Sequence, residues 1–311
     1  SKGMVVTSQV RGVCPVLSTP FTQSGEVDYA SFRNLVQWII SSGARSVLMF
    51  GVASENIKLN DEERDRLLEI LVEEKRKASL TIVASVADHS LELAVIRARK
   101  YEVMGADFIN ILPPSFFSPT AEQILVHLRG ILVAVEIPVI IQHLPQAGGM
   151  EDVAILAQLG VEYENLAMIK CEANPPAESI ERVKSLTHGS VGTLIGWGGI
   201  FWSQGVQAGA LGVQPGCALT DAYVWAQHAL DVGDFTEFEM RLNTFIPWIA
   251  RWISSVEQLI AIEKGILQRR GIISTSYCRR PTTSWDVEIE ATVIAAMNFS
   301  SKIKELINEN Y

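Results

Sequence analysis

The sequence predicts a (β/α)8 barrel followed by a C-terminal helical appendage. Three observations carry that expectation. Short apolar runs recur through the first 232 residues, amphipathic helical stretches separate them, and eight such runs follow one another at spacings of roughly 20–34 residues. Parallel strands covered by helices on both faces read as unbroken apolar runs, and eight strand–helix repeats close a barrel of about 250 residues. A chain of 311 residues suits such a barrel with an addition.

Strands are expected at 12–17, 46–50, 80–85, 107–112, 138–142, 166–170, 190–195 and 210–214. Between them, Leu91, Ala94, Val95 and Ala98 form one helical stripe, and Ile124, Leu125, Leu128, Ile131, Leu132 and Val135 form another. Asn60 with Glu63 and Thr120 with Gln123 have the spacing of capping boxes and mark two helix starts. An open doubly wound sheet is the rival architecture. It would place a glycine-rich phosphate turn after the first strand, where this chain has Ser18-Thr19-Pro20-Phe21. From about Gly233 the strands stop and helical patterning continues, so the expected division is a barrel at 1–232 and a helical region at 233–311.

Composition narrows the function. Hydrophobic residues make up 48% and charged residues 20%, which allows a large core and excludes a disordered chain. A net charge of −9 argues against a surface that tracks nucleic-acid phosphates. Cys14, Cys171, Cys217 and Cys278 lie far apart, and the five histidines show no ligand spacing, so no disulfide framework, metal or cofactor is expected. The reading is a reduced, cytoplasmic protein. Ser1-Lys2-Gly3 before Met4 reads as an extra leader, without the apolar core of a signal peptide. The uncharged stretch 189–220 is long enough for a bilayer, but its nine glycines, three Gln and Pro215 fit a strand, a short helix and another strand better. No membrane partner is expected.

In a barrel of this kind the chemistry sits where the strands end. Those ends carry Ser18 and Thr19, Gly51 to Glu55, Asp88, Pro113 to Phe117, Gln142 and His143, Lys170 to Asn174, Gly196 to Gly199, and Pro215 to Cys217. Lys170 stands out. It closes the apolar run Leu166-Ala167-Met168-Ile169, where few waters support an ammonium and the neutral, nucleophilic amine is favoured. A lysine simply leaving its strand for solvent is the plain alternative.

Several motifs then align with one family. Thr19-Pro20-Phe21 with Gly25-Glu26-Val27-Asp28, Gly51 to Glu55, Pro114 through Thr120, Gln142 through Gly149, Ile169-Lys170, and Lys264, Leu267, Gly271 and Arg280-Pro281 stand in order along nearly the whole chain. In this the sequence resembles the dihydrodipicolinate synthase / N-acetylneuraminate lyase family of TIM barrels, class I aldolases and dehydratases acting on 2-oxo acids. The resemblance implies that Lys170 is a Schiff-base lysine, that backbone groups of Ala53 and Ser54 hold the substrate carboxylate, and that the protein is a homo-oligomer, dimer or tetramer.

The departures are as informative. The family's proton-passing tyrosine corresponds to Gln142, which is neither acid nor base near neutral pH. Its threonine corresponds to Val52 or Ala53, its second tyrosine to Phe116 or Phe117, and the synthase's carboxylate-gripping arginine to Ala147. Glu172, two positions beyond Lys170 and so on the same face, is the replacement acid–base candidate, ahead of His143, which alternation turns away from Gln142. Val52, Phe116 and Trp197, with Phe50, Phe117 and Phe201, suggest an apolar mouth, and plain loop packing is the other reading. Gln214, at the end of the eighth strand, completes the candidate substrate-binding set. The expectation is a Schiff-base lyase, aldolase or dehydratase, acting on a pyruvate-like 2-oxo acid, and not dihydrodipicolinate synthesis itself. The rivals are a 2-oxo acid sensor that kept the lysine, and a barrel enzyme in which Lys170 sits in an ordinary salt bridge.

Overall fold

A computed structural model describes residues 9–147, 150 and 152–309 of the chain. The expectations for residues 1–4, for Gly148 and Gly149, and for the last two residues lie outside the described ones. Eight parallel strands, β1 (Gly12–Val13), β2 (Ser46–Met49), β3 (Thr81–Val86), β4 (Phe108–Ile111), β5 (Val139–His143), β6 (Leu166–Cys171), β7 (Gly192–Ile195) and β8 (Gly212–Val213), form one sheet in the order β1-β8-β7-β6-β5-β4-β3-β2. Helices α1 (Tyr29–Ser41), α2 (Asp61–Lys75), α3 (Leu91–Met104), α4 (Ala121–Ala134), α5 (Val153–Glu162), α6 (Ala177–Leu186), α7 (Trp202–Ala208) and α8 (Thr220–Asp231) follow the strands one by one. Val16 bridges to Leu48, which joins the two ends of that order. This is the (β/α)8 barrel, and both capping boxes form as their spacing requires.

Five strands are shorter than the apolar runs suggest, β2, β4 and β7 by one or two residues and β1 and β8 by more. The first run extends to Leu17, but Pro15 has no N–H to give a ladder, so pairing beyond Val13 survives only as isolated contacts. The run at 210–214 shortens to β8 because Gly209, at φ 108°, caps α7 immediately before it. The uncharged stretch resolves into β7, α7 and β8, and among the described residues no helix is long and apolar enough to cross a membrane.

The chain clusters into two compact units. One comprises residues 9–11 and 81–214 and holds β3 to β8. Here β5 and β6 are buried along their full length, with Gln142 registered beside Lys170. The inward stripes of α3 and α4 bury Ala94, Ala98, Ile124, Leu128, Ile131 and Leu132.

The other unit comprises 12–80 and 215–309. It adds α9 (Phe235–Asn243), α10 (Ile246–Trp252), α11 (Val256–Arg269) and α12 (Val287–Glu309), with no strand among the described residues after β8. Its charged anchor is the fully buried contact of Lys264 on α11 with Glu55. Lys264 also donates to the Tyr277 carbonyl at 2.9 Å and lies 4.2 Å above the Phe21 ring. Burial pulls the Lys264 ammonium below its ordinary range, and the Glu55 carboxylate opposes that shift.

Glu263, one residue earlier on α11, is buried with one donor at its carboxylate, the Ala218 N–H at 2.7 Å. Desolvation raises its carboxyl to about 7, and the hydrogen bond from Ala218 acts against it. A carboxyl raised from 4.5 keeps its proton in the native state while the unfolded chain has released it. Its contribution to stability is therefore full below about pH 4.5 and is lost as pH rises to about 7. Glu263→Gln should raise the melting temperature at pH 8 and leave it nearly unchanged at pH 4.5. The expected gain in denaturant unfolding at pH 8 is on the order of 3 kcal/mol.

Candidate active site

In the first unit, the end of β6 places two ionisable side chains out of water together. Lys170 is 5% exposed and Glu172 8%, and the Lys170 Nζ lies 3.9 Å from Glu172 Oε1. The lysine thus has a counter-charge beside it, on the same face of the strand as the spacing of the two residues requires. Gln142 Nε2, on the neighbouring strand β5, donates to the same Glu172 oxygen in a short contact. Gln142 Oε1 in turn accepts from Asn110 Nδ2 of β4 at 3.4 Å, and Asn110 Nδ2 also donates to Ser85 Oγ of β3 at 3.1 Å. Four adjacent strands therefore contribute one buried polar chain, Ser85–Asn110–Gln142–Glu172, that ends at the lysine.

The main chain of Glu172 is held as firmly as its carboxylate. Its N–H donates to the His143 carbonyl at 2.8 Å, and its carbonyl accepts from the Trp197 indole Nε1 at 2.9 Å. Trp197 adopts φ 53°, a region that bulky residues rarely occupy, and its indole hydrogen bond helps hold it there. With its amide set by its partners, Gln146 donates to the Glu172 carbonyl at 3.2 Å and accepts from the Asn174 N–H at 3.1 Å. Space for the carboxylate comes from Gly196. A Cβ there would stand 2.0 Å from Glu172 Oε2 and 3.0 Å from Lys170 Cε.

The structure thus brings Lys170, Gln142, Glu172 and Trp197 together. Gln214 is buried just past β8 and its N–H donates to the Ile195 carbonyl at 2.9 Å. His143 is buried in β5, next to Gln142 in the strand. Phe116 and Phe117 both stand largely in solvent with their rings tilted against each other, and Phe117 also edges an open cavity of about 440 Å³ with Pro114, Gln123 and His127. The expected aromatic mouth is therefore not assembled around the lysine by these two rings: Phe117 lines a cavity with residues of α3 and α4 instead. Asp88, another strand-end candidate, is taken up by Arg97 at 2.7 Å.

In the second unit, Val52, Ala53 and Ser54 form a single 3-10 turn after β2. Thr19 Oγ1 donates to the Ser54 carbonyl at 2.6 Å, which ties the Thr-Pro-Phe segment to that turn. Val52 is exposed, and the buried Ser54 hydroxyl has no partner among the described residues. Phe50 is buried, so it is a core residue of this unit.

Ser85 and Asn110 were missed by sequence reasoning. Asn110 sits inside the apolar strand Phe108–Ile111, and a polar residue interrupting such a run is the same signal that marked Lys170. Among the described residues, no group of three or more His, Cys, Asp or Glu side chains is placed to hold a metal ion.

Comparison with known proteins agrees with this layout. The model of the dihydrodipicolinate synthetase family matches residues 9–299. The chain belongs to that family. It is 24% identical over 294 residues to the L-2-keto-3-deoxyarabonate dehydratase of Azospirillum brasilense, covering 93% of this chain and 94% of the relative. It is 30% identical to the 4-hydroxy-tetrahydrodipicolinate synthase of Fervidobacterium nodosum over a shorter match, 57% of this chain and 60% of that protein. Among solved structures, the 4-hydroxy-tetrahydrodipicolinate synthase of Methylacidiphilum fumariolicum SolV superposes with a TM-score of 0.87 at 18% identity, covering 97% of this chain and 99% of that one. A monomeric dihydrodipicolinate synthase variant superposes at 0.85 with 21% identity, covering 94% and 97%. At these identities the superpositions establish the fold of this family member.

The close approach at Gly196 makes a direct test of the packing. Gly196→Ala should lower the urea midpoint by the equivalent of about 1–3 kcal/mol, as overpacking does. In a Glu172→Ala background, which removes the carboxylate that the new methyl meets, most of that penalty should vanish.

Proposed function

We propose that this protein is a Schiff-base lyase of the dehydratase or aldolase type, with Lys170 as nucleophile and Glu172 as the acid–base group in place of the family's tyrosine. The observation that carries the reading is the Glu172 carboxylate, 3.9 Å from Lys170 Nζ and hydrogen-bonded by Gln142, the residue that occupies the tyrosine's place. The carboxylate takes a proton from Lys170, and the freed amine attacks C2 of a pyruvate-like 2-oxo acid. Glu172 returns that proton to the C2 oxygen, a second proton passes to it from the attacking nitrogen, and it leaves as water to yield the protonated Schiff base. In the dehydratase case the same carboxylate then removes a C3 proton, the electron pair moves to the iminium nitrogen, and the enamine expels the C4 hydroxyl as water with the proton that Glu172 now carries. In the aldolase case the carboxylate takes the C4 hydroxyl proton instead, the C3–C4 bond breaks with its electron pair moving to the iminium nitrogen, and an aldehyde leaves the enamine behind.

Dihydrodipicolinate synthesis is not the activity proposed. Gln142, Val52, Ala53, Phe116 and Phe117 supply none of the hydroxyls of the tyrosine relay, and Ala147 has no guanidinium for the second substrate. The relative named as a dehydratase matches over 93% of the chain, against little more than half for the synthases, which supports the dehydratase side. Backbone groups of Ala53 and Ser54, with Val52, Trp197 and Gln214, remain the proposed substrate contacts, and Phe116, which stands in solvent, leaves that set. Leu93 and Ile96 on α3, Val126 on α4, and Phe116 and Phe117 between these helices are exposed apolar residues, which supports a homo-oligomer.

Borohydride reduction in the presence of pyruvate should leave a covalent adduct, read by intact mass, that Lys170→Ala abolishes. Glu172→Gln should still form adduct while exchange of the pyruvate C3 hydrogens with deuterated water falls by about 10²–10⁴. No adduct in the folded wild type would overturn the mechanism. Adduct and exchange without turnover of any hydroxylated 2-oxo acid would make the protein a binding paralogue.

A further inference from the structure

We propose that Glu55 is a positioning residue: through its grip on the C-terminal region it holds the turn Val52–Ser54 in the shape that receives the substrate carboxylate. This rests on the reading of that turn as the carboxylate's holder. The turn closes through two hydrogen bonds, Ser54 N–H to the Gly51 carbonyl at 2.9 Å and Glu55 N–H to the Val52 carbonyl at 3.2 Å. A left-handed residue brackets it on each side, Phe50 at φ 65° and Glu55 at φ 58°. Neither is glycine. Such residues persist in that region only where their surroundings over-determine them.

The surroundings of Glu55 come from far along the chain. Its carboxylate is buried, with Oε1 against Lys264 Nζ of α11 and Oε2 accepting from the Arg279 N–H at 3.1 Å. Three residues on, Lys58 and Arg279 are joined twice. The Lys58 ammonium donates to the Arg279 carbonyl at 2.9 Å, and Arg279 Nη1 donates to the Lys58 carbonyl at 2.7 Å. Arg279 also reaches Glu63 Oε1 with Nη1 at 2.8 Å and the Gly25 carbonyl with Nε at 3.0 Å.

The Thr-Pro-Phe segment is held from the same side. Thr19 Oγ1 donates to the Ser54 carbonyl, while Lys264 and Arg279 both lie over the Phe21 ring, at 4.2 and 4.5 Å. Thr275 Oγ1 donates to the Phe21 carbonyl at 2.6 Å. Apolar packing alone would tether the C-terminal region. Paired polar groups in a buried setting fix direction as well as distance, and here they converge on residues 54, 55 and 58. The left-handed end of the turn is thus set by α11 and by the segment around Arg279, and the carboxylate of Glu55 carries that setting to Ser54.

The test separates acid binding from stability. Ligand-observed NMR titration gives the pyruvate Kd of the folded protein, well below its melting temperature. Glu55→Gln should weaken pyruvate by about tenfold. Where that change leaves Lys264 too costly to bury, Glu55→Gln with Lys264→Met removes both charges together and should weaken pyruvate equally. Glu55→Gly should do the same, although glycine takes φ 58° freely, because the carboxylate is the anchor. In pyruvate C3 exchange the loss should fall on KM and not on kcat. A merely structural role would lower the melting temperature and leave the Kd in place. An unchanged Kd in the folded variants, a loss confined to kcat, or no pyruvate binding by the wild type overturns the proposal. The titration counts bound pyruvate without borohydride, so a protein that binds it and forms no adduct sinks the Schiff-base reading alone.

Discussion

The site is organised around one difficulty, the removal of a lysine and a glutamate from water at the end of a single strand. Either charge alone would be expensive among Ile169, Leu194 and Ile195, and the pair is tolerable because each is the other's nearest opposite charge. Everything near them serves that arrangement. β5 offers Gln142 at the register position beside Lys170, the turn after β7 offers the indole of Trp197 to the glutamate's carbonyl, and Gly196 leaves the volume that the carboxylate fills.

The two compact units divide the work differently. The unit with β3 to β8 holds the reactive pair and its polar chain. The unit with β1, β2 and the last helices holds a second buried pair, Glu55 with Lys264, whose role is architectural: it pins the turn after β2 to α11 and to the segment at Tyr277. The two pairs resemble each other in charge and burial, and they differ in surroundings. Lys264 is enclosed by a carbonyl and an aromatic face, whereas Lys170 adjoins neutral amides that can exchange hydrogen bonds with a substrate.

The barrel was legible because parallel strands and covering helices write two different periodicities, and the eight runs fell where the strands are. Strand ends were less legible, since a run of apolar letters cannot show that Pro15 interrupts a ladder. Lys170 was legible as a lone cation closing an apolar run, and Glu172 as its neighbour two residues on. Asn110 gave the same kind of signal and was absorbed into its strand, because the mid-strand position gave no hint of a partner across three strands. Phe116 matched its motif position yet stands in solvent, for a motif fixes order along the chain and leaves the direction of a loop open. The contribution of Gly196 is purely spatial and has no counterpart in spacing.

That glycine also fixes where the acid can stand. A side chain at position 196 and the carboxylate of Glu172 claim the same volume in this chain. A larger residue at 196 would leave the backbone of β6 as it is and push the carboxylate elsewhere, so an absent side chain at the end of one strand sets the distance between two present ones at the end of another.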